Sequence, residues 1–171
     1  GNRVAVGNAA LMEDTCKDSF TKSTVSSGVV YVSVDGRYAG YIEFSDTVKP
    51  EAKESLATLR SLGAKKCIML SGDRRESAER VGGTLGLDEV YAELLPEDKF
   101  SKLEEIITSA DKHTTVYVGD GINDAPSLAR ADVGVAMGSI GSDSAIEAAD
   151  IVIVSDDLAK LPTAVSIARH T

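Results

Sequence analysis

Thr115 to Arg130 reads TVYVGDGINDAPSLAR. It begins as a short β-branched and aromatic strand, Thr115–Val118. A glycine bend follows that carries two carboxylates, Asp120 and Asp124. It ends as a helix with Pro126 in its first turn, where a missing N–H costs nothing. The earlier run Cys67–Leu70 is short and continuously apolar, as expected of a strand covered on both faces. The same strand-then-helix unit recurs on either side. Upstream, a helix over Glu51–Leu62 opens on Pro50 and stops at Gly63. A strand at Cys67–Leu70 leads to a helix at Arg74–Leu85, and a strand at Val90–Ala92 to a helix at Pro96–Ile107. Downstream come a strand at Val133–Met137, a helix at Asp143–Ala148, a strand at Ile151–Val154 and a helix at Leu158–Arg169. Alternation from Asp46 onward predicts an α/β fold, a parallel sheet with helices on both faces. Such open sheets bind ligands beyond the carboxyl ends of their strands.

The region before Asp46 has a different rhythm. Val29–Val34 and Tyr38–Phe44 are strand-like runs joined by Asp35-Gly36, a hairpin signal with a mechanism, since both turn positions need positive φ. Val4–Val6 reads as a further short strand leading into Gly7-Asn8. Ala9–Phe20 has weak helical periodicity, and Thr21–Ser27 reads as a loop.

The 171 residues carry 18 basic and 27 acidic side chains, a net charge of -9. A nucleic-acid backbone meets repulsion from such a surface, and an aromatic content of 5% without Trp provides few stacking platforms. No nucleic-acid partner is expected. Cys16 and Cys67 stand alone, which excludes a disulfide framework or a cysteine zinc site and suits a reducing compartment. No apolar run reaches the roughly 18 residues of a membrane span, so this chain is expected to be soluble and to cross no bilayer itself.

Three segments follow strands or open helices at the expected ligand edge. Gly119–Pro126 places Asp120 and Asp124 on either side of a bend. Two carboxylates with water and phosphate oxygens make a hard site suited to Mg²⁺. A plain turn would need only one such acid, whereas here two acids, Asn123 and a helix-starting proline follow an apolar strand. Ser71-Gly72-Asp73 reads either as an N-cap for the Arg74 helix or as a phosphate-oxygen site at that helix start. Lys99, in Leu95-Pro96-Glu97-Asp98-Lys99, is one turn into a helix where it could neutralise phosphoryl charge, and Lys102 competes with it on spacing alone.

Together GDGINDAP at Gly119–Pro126, MLSGD at Met69–Asp73 and LPEDK at Leu95–Lys99 resemble the phosphorylation domain of P-type ATPases, a branch of the haloacid-dehalogenase-like fold. SDTVKPEA at Ser45–Ala52 and VGNAALM at Val6–Met12 are similar to its heavy-metal-transporting members, and MGSIGSDSAIEAAD at Met137–Asp150 to the zinc/cadmium/lead group. The resemblance implies a haloacid-dehalogenase-like three-layer α/β/α sandwich. Residues 28–171 would form the phosphorylation domain, preceded by a remnant of a nucleotide-binding domain at 1–27. It implies ATP and Mg²⁺ as cofactors, with Asp120 and Asp124 at the metal and Asn123 holding their loop. Ser71 and Lys99 would contact the phosphoryl group, Gly72 and Asp73 would line the nucleotide side, and Gly7 and Asn8 would contact ATP.

The phosphorylated aspartate of that family lies in a DKTGT motif, and no Asp-Lys-Thr triplet occurs in these 171 residues. The resemblance therefore implies that this is the cytoplasmic, ATP-hydrolysing portion of a heavy-metal exporter, inactive by itself. Its nucleophile would lie elsewhere, the rest of the transporter would be its partner, and the exported ion would not be bound here. Since the missing motif ends a central strand in the family, either the strands Cys67–Leu70 and Thr115–Val118 close up or another chain fills the gap between them. A haloacid-dehalogenase-like phosphatase using Asp46, and a non-catalytic nucleotide-binding module, are the alternatives.

Overall fold

Asp35 and Gly36 adopt φ of 52° and 77°, the left-handed pair that a two-residue hairpin with the natural strand twist demands. In the computed structural model, which describes residues 1–16, 20–22, 28–44, 47–110, 112–120, 122–138, 143–155 and 157–170, this turn joins β2 (Gly28–Val34) to β3 (Arg37–Phe44). β1 (Val4–Gly7) adds to β2, giving an antiparallel order β1-β2-β3. α1 (Ala9–Thr15) is shorter than the expected Ala9–Phe20. Cys16 turns to extended backbone, and Phe20 sets its ring 5.3 Å from Tyr31 and 5.7 Å from Tyr38. Burying that ring among the β2 and β3 tyrosines decides the helix end over its weak periodicity.

The chain divides into two compact units, Gly1–Thr47 and Val48–Thr171. The expected division at 27/28 would cut β2 away from β1, to which it is paired from Val4↔Val34 to Gly7↔Tyr31. The ladder keeps the hairpin in the first unit. Asp46 lies outside the described residues.

The second unit alternates as expected: α2 (Pro50–Ser61), β4 (Ile68–Leu70), α3 (Arg75–Leu85), β5 (Glu89–Tyr91), α4 (Pro96–Ser109), β6 (Val116–Gly119), α5 (Ala125–Arg130), β7 (Val133–Met137), α6 (Asp143–Ala148), β8 (Ile151–Ile153) and α7 (Lys160–His170). All the strand pairs are parallel. β7 is the strand covered on both faces. Val135 and Met137 pack with Ile153 and Leu161, and with Leu59 of α2. Ala136, pointing the other way, joins Leu103 of α4, Leu128 of α5 and Ala145 of α6. Period-two alternation of the strand thus feeds two apolar layers.

β4 pairs with β5, and β6 with β7 and β8, but β4 and β6 share no ladder. The two sheet edges have not closed up. Leu70 of β4 still packs on the core cluster that contains Tyr117 of β6. A cleft of about 420 Å³ lies against Leu70 on one side and Tyr117, Val118 and Gly119 on the other.

At the opposite end of β4, Asp88 accepts hydrogen bonds from the Cys67 N–H at 2.7 Å and the Arg60 guanidinium at 2.9 Å. These contacts, the Cys67 N–H first, hold the Asp88 carboxyl below its ordinary range. A depressed folded pKa contributes stability above about pH 4 that is lost as pH falls through the folded value. The urea midpoints of the parent chain and Asp88→Asn should therefore differ at pH 7 and converge toward pH 3. A gap that stays constant across that range would count against the assignment.

Candidate functional site

The bend after β6 is shaped by its neighbours. Ile122–Asp124 forms a single 3₁₀ turn, and Pro126 stands at the start of α5. Asp124 is the N-cap residue of α5, yet its side chain caps nothing. It turns instead into the protein, where it is 7% exposed. Its Oδ1 accepts a hydrogen bond from the Tyr117 hydroxyl at 2.8 Å and lies 3.5 Å from Lys99 Nζ. A carboxylate with so little solvent needs these donors. Gly119 makes room for it, because a Cβ there would stand 2.8 Å from the Asp124 Cβ and 3.1 Å from Oδ2.

Lys99 arrives from the first turn of α4. Pro96 opens that helix, the Asp98 carboxylate accepts from the Leu95 N–H at 3.0 Å, and the Lys99 N–H makes the first helical bond, to Leu95 O. This places the ammonium at the carboxyl end of β6, with its side chain 22% exposed. Lys102 is committed elsewhere: its ammonium sits 4.7 Å from the Tyr91 ring centroid and pairs with Glu105.

Lys99, Asp120 and Asp124 line the same cleft beside β4 and β6. Asp120 is exposed there, as is Asn123 in the 3₁₀ turn, while Gly121 between them lies outside the described residues. Ser71 follows Leu70 directly but is absent from the cleft lining, as are Gly72 and Asp73. Ser71 Oγ donates to the Asp73 carboxylate at 2.8 Å and accepts from the Asp73 N–H at 3.1 Å. Neither residue caps α3, whose N-cap is Arg74 with no side-chain bond. Gly72 passes close to Leu94, whose carbonyl oxygen would lie 3.3 Å from an added Cβ. In the first unit, Asn8 caps α1 by accepting from the Leu11 N–H at 3.0 Å, beside Gly7 at the end of β1.

One residue was missed by reading for ligand-edge motifs, Tyr117, which is interior at 9% exposure. Burial, and then the Asp124 carboxylate, hold the Tyr117 phenol far above its ordinary pKa, while a hydrogen bond from Ser127 acts the other way. The available signal was a polar-tipped aromatic between two valines of a strand. Among the described residues, no three His, Cys, Asp or Glu side chains cluster as a metal site, and no helix is long and apolar enough to cross a membrane. The donor set is two carboxylates, which fits a cation that completes its shell with water and phosphate oxygens.

The haloacid dehalogenase-like hydrolases match residues 2–132. The cadmium, zinc and cobalt-transporting ATPase of Bacillus subtilis (strain 168) is 45% identical over the whole of this chain and 24% of its own length. A zinc-transporting PIB-type ATPase in its E2.Pi state superposes with a TM-score of 0.72 at 31% identity, over 99% of this chain and 28% of that one. The catalytic domain of the CPx-ATPase CopB-B gives a TM-score of 0.65 at 33% identity, over 84% and 55%. The chain spans about a quarter of the length of these curated relatives.

Proposed function

The chain belongs to the haloacid dehalogenase-like hydrolases, and from that premise we propose that it is the ATP-hydrolysing cytoplasmic portion of a zinc-, cadmium- or lead-exporting P-type ATPase. The observation that carries this reading is the convergence of Lys99, Asp120 and Asp124 in one cleft at the carboxyl end of β6. Its relatives that transport cadmium, zinc and cobalt support the metal branch.

In this reading Asp120 and Asp124 hold Mg²⁺, which when bound neutralises charge on the phosphoryl oxygens. Lys99 carries positive charge to the same place and is oriented by its contact with Asp124. Ser71, one residue beyond the β4 edge of the cleft, offers a hydroxyl to a phosphoryl oxygen, and Asn123 braces the bend. Gly72 and Asp73 face the nucleotide. Gly7 and Asn8, in a unit we read as the tail of a nucleotide-binding domain, contact ATP. The attacking aspartate is supplied by a segment outside these residues, whose strand enters the opening between β4 and β6. That opening has two parallel strand edges with free ladder positions and an apolar lining, as an inserted strand requires. The transporter's membrane portion is the partner that carries the exported ion.

The reading is tested by calorimetric titration of the chain with Mg²⁺. Two carboxylates without a third give weak binding, and Asp120→Asn should abolish it. Tight binding that survives Asp120→Asn would refute the metal assignment.

A further inference from the structure

We propose that Tyr117 is the positioning residue for Asp124, holding Oδ1 inside the protein so that Oδ2 is the oxygen offered to the cation. The inference rests on the Mg²⁺ site proposed above and adds a residue and an atom to it.

Along β6, Val116 and Val118 are exposed at 45% and 38%, and the inward position between them is Tyr117. Its ring fills the cluster made by Leu103, Leu128, Ala136 and Ala145. A purely apolar ring would fill that space without a hydroxyl to satisfy, so the phenol oxygen needs its own explanation.

A phenol has one proton to donate. At 2.8 Å that proton goes to Asp124 Oδ1. Ser127, from the first turn of α5, lies beside the same phenol.

The carboxyl torsion of an aspartate is broad and nearly two-fold, so by itself Asp124 would present either oxygen. Lys99 contacts the same Oδ1, but at 3.5 Å and from a flexible stem. It is a loose restraint beside the phenol. Tyr117 is rigid and buried, and it selects which oxygen is consumed internally. What remains is Oδ2, poised over Gly119, the residue next to Asp120. With Oδ1 fixed by Tyr117, only one of the three N–H donors of Lys99 is engaged by Asp124, leaving the others for a phosphoryl oxygen.

Magnesium tolerates little departure from octahedral oxygen geometry, so a fixed Oδ2 improves the site more than it would for a larger cation. Hydrogen bonds to charged groups are the stronger class, and loss of this one should weaken Mg²⁺ binding about tenfold.

The test is titration of the chain with MgCl₂, followed by the backbone amide shifts of Gly119 and Asp120, alongside urea unfolding. Tyr117→Phe should raise the Mg²⁺ dissociation constant about tenfold while the other amide shifts stay in place. Ser127→Ala removes a second buried hydroxyl near the phenol, and should change the urea midpoint but not the dissociation constant. Should Tyr117→Phe fail to fold, Tyr117→Phe/Ser127→Ala removes both hydroxyls and should show the same tenfold loss. An unchanged dissociation constant in whichever Tyr117 variant folds, or an equal loss in Ser127→Ala, would overturn the proposal and leave Tyr117 a packing residue. Asp120→Asn separates the two levels: if it leaves the Mg²⁺-dependent shifts intact, the cation is bound elsewhere and the metal site itself fails.

Discussion

Incubated with radiolabelled ATP and Mg²⁺, the chain should form no acid-stable, hydroxylamine-sensitive phosphoprotein and should release no phosphate above the rate of buffer. Phosphoryl transfer to a protein needs an in-line carboxylate nucleophile. Asp120 and Asp124 are assigned to the cation, and Asp124 Oδ1 is already engaged by Tyr117 and Lys99. Ser71 Oγ is taken up in hydrogen bonds with the Asp73 carboxylate and N–H, and no histidine is among its partners there. Nucleotide binding is compatible with this inactivity, since binding groups persist without the nucleophile. Supplying a longer polypeptide that includes an Asp-Lys-Thr-Gly-Thr strand should restore the label, on that aspartate. Label appearing on the present chain would mean that a carboxylate within it attacks. Asp46 would then be the first residue to replace, and the phosphatase alternative would take over.

Leu128→Ala should cost about 3 kcal/mol of folding stability, within the range for emptying a fully buried leucine site. Leu128 is 0% exposed and joins α5 to α4, β6, β7 and α6 in one cluster. The site has little freedom to collapse: α5 lies so flat on β7 that a Cβ on Gly134 would stand 2.3 Å from the Leu128 carbonyl oxygen. For a chain of this size the loss corresponds to a fall in melting temperature of about 6–12 °C. The effect should reach the site, because α5 carries Asp124 at its start and Ser127 in its first turn. The control is Ile146→Ala on α6, where the side chain is 41% exposed and little change is expected. Equal melting temperatures for the two variants would show that this layer does not hold the unit together.

How much was legible beforehand depended on how local the cause was. The Asp35-Gly36 turn, the proline at the start of α2, α4 and α5, and the strand-helix alternation all rest on backbone preferences that act within a few residues. They could be read directly, with element ends displaced by a residue or two. The end of α1 could not, because Phe20 leaves the helix pattern to pack on strands that come later in the chain. Nor could the division between units, which is set by the ladder between β1 and β2 rather than by the polar stretch that separates them in sequence. At the candidate site, spacing along α4 made Lys99 and Lys102 equal candidates. Tertiary contacts separated them, one ammonium next to Asp124 and the other over Tyr91.

By itself the sequence determined that the second unit would be a parallel α/β sheet and that its acids at Asp120 and Asp124 would stand at a strand's carboxyl end. Periodicity, turn chemistry and chain direction are sufficient causes for both. Only the tertiary structure decided that β4 and β6 stay apart, that Lys99 rather than Lys102 meets Asp124, and that a tyrosine hydroxyl from inside the sheet takes one oxygen of that carboxylate. Those outcomes depend on distances between segments remote in the chain, and a hydrogen bond or a strand ladder exists only where such segments come within about 3 Å of one another.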